Sequence, residues 1–306
     1  MKFSLGSLLL FAPTFQAFVF DGHFEALPLD PDESSLLLSR CGPEVRCVLV
    51  NSHPMDSPSI PHIVWGRQYF RYAPAQYRRF YIELKGDFED YMKRFSSTRR
   101  KHLKQALKYF TVFSGGQVDW REYRNTGDMS EFHQHAREIS RKTYQELVAD
   151  SGIPDGEAFT GKLNQLAAED RVRGYVLFHD QQPVAYQFWV VSNGTLECKF
   201  IGYDPAYREY APGNVLLLLT VERAFATKSF GRLDLGKAEY PYKETFSSGY
   251  LHCADIYYFR PTFANALLIS GHFLLNAVSM SGGYLLDGLR LRAPIRKLVR
   301  KRRAKF

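Results

Sequence analysis

Cysteine is scarce in this sequence, and the spacings that would give it a chemical role are missing. The chain has 306 residues and only four cysteines, at positions 41, 47, 198 and 253. They form no C-x-x-C pair and no zinc-type spacing with histidines, so no metal site is predicted. Cys198 and Cys253 fall in apolar stretches typical of strands, which indicates reduced core thiols and a cytoplasmic protein. A Ser-His-Asp or nucleophilic-cysteine pattern is also missing.

The body of the chain lacks an excess of positive charge. The sequence has 40 Lys and Arg against 32 Asp and Glu, a net charge of +8. Nine of the basic residues and no acidic residue lie in residues 290–306, so the remainder holds 31 basic and 32 acidic side chains. The excess therefore belongs to a basic tail. Such a tail predicts a polyanionic partner, either an anionic membrane surface or, less favoured, a nucleic acid such as tRNA.

Charge is also missing from residues 261–286, apart from His272, and this stretch is long enough to cross a bilayer. Its leucines follow one helical stripe, while Asn265, His272 and Asn276 follow the opposite one, which predicts an amphipathic helix. Three interpretations stay open at this point. The helix packs on its own domain, lies in the plane of the inner membrane face as a peripheral anchor, or spans the bilayer.

Periodicity and turn residues predict a mixed order of strands and helices. Residues 1–80 indicate strands separated by proline-rich loops. The elements predicted after residue 80 are helices over 86–108, 128–148, 154–168 and 214–225 and strands over 109–113, 172–179, 183–191, 195–203, 231–235 and 250–259. Ser192-Asn-Gly194 indicates a tight hairpin between two of these strands.

One stretch combines a strand, a short loop and a helix start. The strand Thr195–Tyr203 leads into Arg208-Glu-Tyr-Ala-Pro-Gly213, and an apolar helix begins at Asn214. The first turn of a helix has unpaired backbone N–H groups beside the positive end of its dipole. Arg208 adds a formal charge, and Gly213 lets the backbone approach a ligand closely. The stretch therefore predicts an anion site that suits a phosphate or a pyrophosphate.

This loop resembles the Q/R-x-x-G-x-G/A loop with which acyltransferases of the GNAT superfamily hold the pyrophosphate of acyl-CoA, with Ala211 in place of the middle glycine. Together with residues 96–107 and Leu235-Gly-Lys-Ala-Glu-Tyr-Pro-Tyr-Lys243, it resembles the CelD-like branch, which is related to Fem-type proteins with two GNAT-like halves. The resemblance extends from about residue 81 to the C-terminus. It implies a GNAT fold of class α+β or α/β, whose mixed, mostly antiparallel sheet is flanked by helices. The expected parts are a partial GNAT-like half (1–116), the acyl-CoA-binding domain (117–260) and an amphipathic segment with the basic tail (261–306).

The resemblance also implies where the site lies. It gives a backbone N–H within Phe200–Tyr203 the task of stabilising the oxyanion, where the fourth strand separates from the fifth. The residues expected to bind the cofactor are Gly202, Tyr203, Arg208, Ala211, Gly213 and Asn214. The residues after the fifth strand would gather beside the thioester, so Tyr242 is expected to protonate the leaving thiolate and Glu239 to accept the proton of the amine. Lys243 is expected to bind an anion, and Asp234 is a weaker candidate.

The function implied is an N-acyltransferase, in which an amine acceptor directly attacks acetyl-CoA or another acyl-CoA, without a metal. Two alternatives stay open. One is Fem-like aminoacyl transfer from charged tRNA, with the basic tail on the nucleic acid. The other is a catalytically silent GNAT fold that acts as a membrane-associated factor in polysaccharide production.

Overall fold

A computed structural model describes residues 3–5, 8–21, 38, 42–143, 152–237 and 240–288, and for residues 3–5, 8–11, 21 and 280–288 it describes the backbone only. The chain forms two units, one of residues 1–78 and 251–306 and the other of residues 79–250. The predicted division at residues 116 and 260 concerns GNAT-like halves and stays a prediction. The basic tail lies outside the described residues.

Regular elements follow one another along the whole described chain. In chain order they are β1 (Phe3–Leu5), β2 (Leu8–Phe11), β3 (Gln16–Asp21), β4 (Val45–Pro54), β5 (Ile63–Trp65), β6 (Phe70–Glu83), α1 (Phe88–Lys93), α2 (Ser97–Phe113), β7 (Asp119–Tyr123), α3 (Met129–Ser140), α4 (Glu157–Ala168), β8 (Val172–His179), β9 (Gln182–Ser192), β10 (Thr195–Tyr203), a 3₁₀ helix (Pro205–Tyr210), α5 (Pro212–Thr227), β11 (Arg232–Gly236), α6 (Pro241–Phe246), β12 (Gly249–Phe259) and α7 (Phe263–Gly288).

The unit of residues 79–250 is built on the strand order β6–β11–β10–β9–β8–β7. Strands β10 and β11 run parallel, and the other neighbours in this order are antiparallel. The turn between β9 and β10 has Asn193 at φ 47° and Gly194 at φ 70°, which is the type I′ geometry expected for a two-residue hairpin. The predicted class, a mixed and mostly antiparallel sheet flanked by helices, is confirmed.

Two separate apolar clusters hold helices against this sheet. Helices α1, α2 and α5 share one cluster, which includes Leu103, Phe110 and Leu216. Helices α3 and α4 pack in the other, which includes Phe132 and Leu163. Helix α5 contacts α2 as well as β8, β9 and β10, so most of its circumference is covered. This explains its nearly continuous apolar sequence, and it fixes the start of α5 close to the end of β10.

Two predictions for residues 86–113 are wrong. The sequence indicated one helix up to Lys108 and then a strand over 109–113, whereas this stretch forms the two helices α1 and α2. The break occurs at Ser96, whose side chain accepts a hydrogen bond from the Arg99 N–H at 3.3 Å and caps α2. Phe110 lies seven residues after Leu103 on the same buried helical face. Packing against the first cluster therefore overrides the strand preference of the aromatic residues.

The unit of residues 1–78 and 251–306 has the strand order β3–β4–β12–β6, with β5 paired to β6. Strands β3 and β4 are parallel, while β4 and β12 are antiparallel. Helix α7 joins this unit through Ile269, which packs with Cys47, Tyr72 and Phe259. Cys198 lies in β10 and Cys253 in β12, as predicted, and both are free thiols in this structure.

Candidate active site

The chain leaves β10 through a turn that ends in a left-handed residue. Asp204 caps the 3₁₀ helix, because its carboxylate accepts a hydrogen bond from the Ala206 N–H at 3.0 Å. That helix ends at Ala211, whose φ of 48° and ψ of 45° lie in the left-handed region. Pro212 then begins α5, where its fixed φ suits the first helical position. The turn thus carries the chain directly from the strand end to a helix N-terminus.

The backbone at Ala211 accounts for the glycine that the family pattern has at this position. Glycine enters the left-handed region at no steric cost, whereas an L-residue with a Cβ is disfavoured there by about 1–2 kcal/mol. Ala211 nevertheless holds the left-handed geometry. The sequence difference at the middle glycine therefore preserves the path of the loop and adds a small local strain.

Two backbone donors in the first turn of α5 are already used at the helix start. The N–H groups of Asn214 and Val215 both donate to the Ala211 carbonyl oxygen, at 3.0 and 3.1 Å. Since Pro212 has no N–H, Gly213 carries the first backbone donor of the helix. The Arg208 side chain is exposed and has no ion-pair partner among the described residues. These features are what an anion-binding helix start requires.

Tyr203 and Gly213, both predicted cofactor residues, meet in the structure. A Cβ built on Gly213 would lie 3.4 Å from Tyr203 Cδ1, so the glycine packs closely against the tyrosine ring. The last residue of β10 and the first turn of α5 are therefore neighbours.

Helix α2 braces the loop and carries unbalanced positive charge. Tyr210, at the end of the 3₁₀ helix, stacks on Tyr109 and Phe113 of α2, with ring centroids 5.4 and 3.6 Å apart. At the other end of α2, Arg99 Nη1 lies 3.5 Å from the carbonyl oxygen of Glu244 in α6. Over its length α2 has no Asp or Glu, and its basic residues are Arg99, Arg100, Lys101, Lys104 and Lys108. The helix that braces the loop therefore carries a net formal positive charge.

The sheet opens beside this loop. The parallel register of β10 and β11 covers only Thr195 to Glu197, opposite Arg232 to Asp234. Directly after it, β10 has a bulge between Cys198 and Phe200 in its pairing with β9. Beyond Glu197 the side of β10 that faced β11 is therefore released from the ladder, as a bulged and separating strand would be. The predicted segment Phe200–Tyr203 lies in this released part.

Gly202 is needed for packing in the same segment. A Cβ at this position would lie 2.6 Å from Tyr186 Cε1 and 3.1 Å from Thr143 Cγ2. The glycine therefore permits the close approach of Tyr186, its register partner on β9. This packing role stands beside the predicted contact with a cofactor.

A buried ion pair fixes the end of β11. Arg79 of β6 donates to Asp234 Oδ2 through Nε at 2.9 Å and Nη2 at 2.5 Å. The other carboxylate oxygen of Asp234 accepts from the Gly236 N–H at 2.7 Å, where the backbone turns with φ 77°. Asp234 is thus engaged on both oxygens and holds the turn after β11. The described residues contain no group of three or more His, Cys, Asp or Glu side chains placed to hold a metal ion.

Lys243 is buried beside this turn. Its Nζ donates to the carbonyl oxygens of Gly236 at 3.2 Å and Lys237 at 2.7 Å. Burial lowers the pKa of Lys243, and the nearby Cys198 and Asp234 oppose that effect. The ammonium group therefore ties α6 to the end of β11. Whether it also binds an anion, as the sequence predicts, stays a prediction.

Tyr242 lies in the first turn of α6 and is partly buried. Burial raises the pKa of its phenol, with smaller contributions from Cys198 and Tyr240. Tyr242 and Cys198 both pack against the first apolar cluster, and the Tyr240 ring stacks on Tyr242 with centroids 6.1 Å apart. A neutral phenol in this position can give a proton. Glu239, the predicted base, lies outside the described residues.

Sequence reasoning missed Arg79 and the aromatic brace at Tyr210. Arg79 precedes the apolar run Phe-Tyr-Ile, and a charged residue inside a predicted strand is a signal of a buried partner. Its partner Asp234 lies 155 residues later, so the pairing was not visible in the sequence. The stacking of Tyr210 depends on α2 being helical at Phe113, where the sequence pattern predicts a strand.

Residues 97–244 match the family model described as an acetyltransferase (GNAT) domain. The match begins with α2 and ends in α6, so it contains the loop, the opening of the sheet and the Asp234 turn. These residues therefore match a GNAT domain, as the sequence motifs predicted. A comparison with curated proteins returns no match.

Solved structures share the fold at low sequence identity. The C-terminal domain (DUF2156) of a protein described as a lysylphosphatidylglycerol synthetase from Agrobacterium fabrum superposes with a TM-score of 0.53 at 9% identity, covering 84% of this chain and 81% of that chain. L-PGS from Bacillus licheniformis gives 0.51 at 11%, covering 86% and 84%. FemX gives 0.50 at 6%, covering 78% and 77%. At these identities the likeness concerns the fold.

Proposed function

We propose that this protein is an N-acyltransferase that moves an acyl group, most simply acetyl, from an acyl-CoA thioester to an amine. The observation that carries the proposal is the meeting of three features at one end of β10. These are the released strand edge, the left-handed turn at Ala211 and the start of α5 with Arg208. Each suits one part of an acyl-CoA molecule, from the thioester to the pyrophosphate.

The charge around the loop supports a polyanionic donor. The chain outside the tail is nearly neutral, yet α2 carries five Arg or Lys and no acid, and it stacks on the loop through Tyr210. Basic residues at the start of a helix oppose its dipole, so their presence in α2 favours a ligand of negative charge. The phosphates of CoA provide that charge.

The proposed chemistry is a direct transfer. Acyl-CoA supplies the thioester carbonyl that a neutral amine attacks; the C–N bond forms and the C–S bond breaks. A backbone N–H of the released part of β10 stabilises the oxygen during attack. The Tyr242 phenol gives its proton to the departing sulfur, and Glu239 accepts the proton that the amine loses, directly or through water. Asp234 and Lys243 hold the turn that carries these groups.

The amine acceptor and the use of cytosolic acyl-CoA make the cytoplasm the proposed site of reaction. Aminoacyl transfer from tRNA is the second enzymatic reading of the sequence, and it depends on the basic tail. Acyl transfer from acyl-CoA is preferred, because the features that suit acyl-CoA lie in described residues of the GNAT domain. Binding of CoA thioesters without turnover would instead favour the catalytically silent alternative.

Binding of CoA tests the donor site. Arg208→Ala should weaken the affinity for CoA, measured by isothermal titration calorimetry, by about 1.5–3 kcal/mol, because a charged hydrogen bond is lost. Arg124→Ala is the matched control, since this half-exposed arginine follows the edge strand β7 and pairs with Asp170. Unchanged affinity in a folded Arg208→Ala protein would refute the assignment of the loop.

Turnover tests the chemistry. Tyr242→Phe removes one hydroxyl and little volume, so folding and CoA affinity should persist while the rate of acyl transfer falls by about 10²–10⁴-fold. Tyr240→Phe, which alters the exposed neighbour stacked on it, should keep its activity. A fully active Tyr242→Phe enzyme would move the acid to another group.

A further inference from the structure

Helix α7 packs into its unit with its polar face. Asn265 and His272 are buried, together with Ile269 between them. His272 Nδ1 lies 2.6 Å from the Tyr72 hydroxyl oxygen and 3.2 Å from Asn276 Nδ2. Polar side chains with hydrogen-bond partners thus form most of the buried face. These hydrogen bonds, together with packing, determine which side of the helix is buried.

Asn265 anchors the start of the same face. Its Oδ1 accepts a hydrogen bond from Arg46 Nε at 2.5 Å, and its Nδ2 donates to the Arg260 carbonyl oxygen at 2.9 Å. Two long-range contacts, at Arg46 and at Tyr72, therefore fix the rotation of the helix about its axis. The opposite face has to point away from the unit.

That opposite face is apolar and exposed. Phe263 is 87% exposed, Leu267 66%, Leu274 65% and Val278 51%. Their spacing of four, seven and four residues places them in one line along the helix. A helix on the surface of a soluble domain has the reverse arrangement, because apolar side chains gain most by leaving water. We call this line of four residues the α7 stripe.

The occupant of the α7 stripe must be apolar where it meets the helix and anionic beside it. The sequence has no Asp, Glu, Lys or Arg from Phe263 to Leu286, and it then has nine basic residues and no acid in residues 290–306. A nucleic acid would satisfy the tail but offers no apolar phase to the stripe. A second copy would bring two such tails together, which is electrostatically unfavourable. An anionic lipid surface provides both requirements.

A bilayer span is a different arrangement, and the described helices do not support it. None of them combines the length and hydropathy that crossing a membrane requires. The buried Asn265 and His272, with the half-buried Asn276, also keep one side of α7 occupied by protein along its described side chains. The helix is therefore able to present only one side to lipid.

We propose that α7 lies in the plane of an anionic lipid surface, with the α7 stripe among the acyl chains and the basic tail against the headgroups. This goes beyond the proposed acyl transfer and does not depend on it. The attraction of the tail to headgroups is screened by salt, while insertion of the stripe is not. Binding to vesicles should accordingly require anionic lipid. It should weaken gradually as the salt concentration rises, because insertion of the stripe persists.

Co-sedimentation of the full-length, nuclease-treated protein with vesicles tests the proposal. Phosphatidylcholine vesicles with about 40% phosphatidylglycerol should carry the protein into the pellet at low salt, and pure phosphatidylcholine should carry much less. The double substitution Leu267→Ser and Leu274→Ser should weaken partitioning by about tenfold or more, because two leucines no longer enter the acyl region. Both side chains are exposed, so the fold should persist, as circular dichroism can check.

Val112→Ser is the matched control, because Val112 is 69% exposed on α2 and lies in the other unit. It should leave partitioning unchanged. Replacing the nine basic residues of the tail by glutamine should remove the dependence on phosphatidylglycerol. A wild-type protein that stays in the supernatant at low salt would overturn the proposal, and so would equal partitioning of the double serine variant. A concentration-dependent dimer that needs Leu267 and Leu274, without vesicle binding, would overturn it in favour of a second copy.

Discussion

Replacing Ala211 by glycine should stabilise the protein and leave its cofactor site intact. Ala211 has φ 48° and ψ 45°, and the left-handed region costs an L-residue about 1–2 kcal/mol relative to glycine. Glycine also increases the conformational entropy of the unfolded chain, and this offsets about 0.4–1 kcal/mol of that stabilisation. The difference leaves a gain of about 1 kcal/mol. For a cooperative unit of this size it corresponds to a rise of about 2–4 °C in melting temperature.

Urea and thermal unfolding measure the gain, and Lys228→Gly is the control. Lys228 ends α5 with φ 51° and ψ 24°, so glycine should relieve a similar strain there, far along the helix from the loop. Calorimetry should give a CoA affinity within about twofold of wild type for both variants, because the loop already has the geometry that glycine prefers. Ala211→Val should destabilise, since a branched Cβ fits the left-handed region worse. If Lys228→Gly stabilises and Ala211→Gly does not, the reasoning about this turn is refuted.

The remaining predictions concern packing and burial. Arg79→Met should destabilise by about 3–5 kcal/mol in urea unfolding, because the buried Asp234 carboxylate loses its partner, and Arg79→Met with Asp234→Leu should recover much of that loss. Gly202→Ala should cost about 1–3 kcal/mol, since its Cβ would lie 2.6 Å from a ring carbon; a neutral result would contradict the close packing. In a Cys41→Ser background, iodoacetamide at pH about 8 should label thiols only after unfolding, because burial raises the pKa of Cys198 to about 12. Rapid labelling of the native protein would contradict it.

Short-range sequence patterns were sufficient to predict the central strands of the GNAT domain and the loop that follows them. The strands over 172–179 and 195–203 were predicted to the residue, because apolar alternation and the Asn193-Gly194 turn both act over short distances. The loop was predicted for the same reason, since strand, arginine, glycine and helix start follow one another within about twenty residues. The family model that covers residues 97–244 confirms the resemblance drawn from those motifs.

The features that could not be predicted from the sequence depend on contacts between residues far apart in the chain. The strand predicted at Tyr109–Phe113 is helical because Phe110 is buried in the cluster shared with α5, which lies about a hundred residues further on. The amphipathic pattern of α7 was recognised, but periodicity does not say which face is buried. Tyr72 and Arg46, some 200 residues away, select the polar face through hydrogen bonds. The pairing of Arg79 with Asp234 depends on sheet order in the same way.

The unit of residues 1–78 and 251–306 imposes an order on biosynthesis. Strand β4 ends at Pro54, but its antiparallel neighbour β12 begins at Gly249, after the whole of the other unit has been translated. At about 5–20 residues per second, the ribosome needs about 10–40 s to cover that distance. During this time the contiguous unit of residues 79–250 can fold, while Val48 and Val50 have no β12 to cover them. A nascent chain paused before residue 249 therefore lacks the partner for one edge of β4, although β3 can already pair with its other edge. Until β12 is translated, this open edge can pair wrongly with another strand.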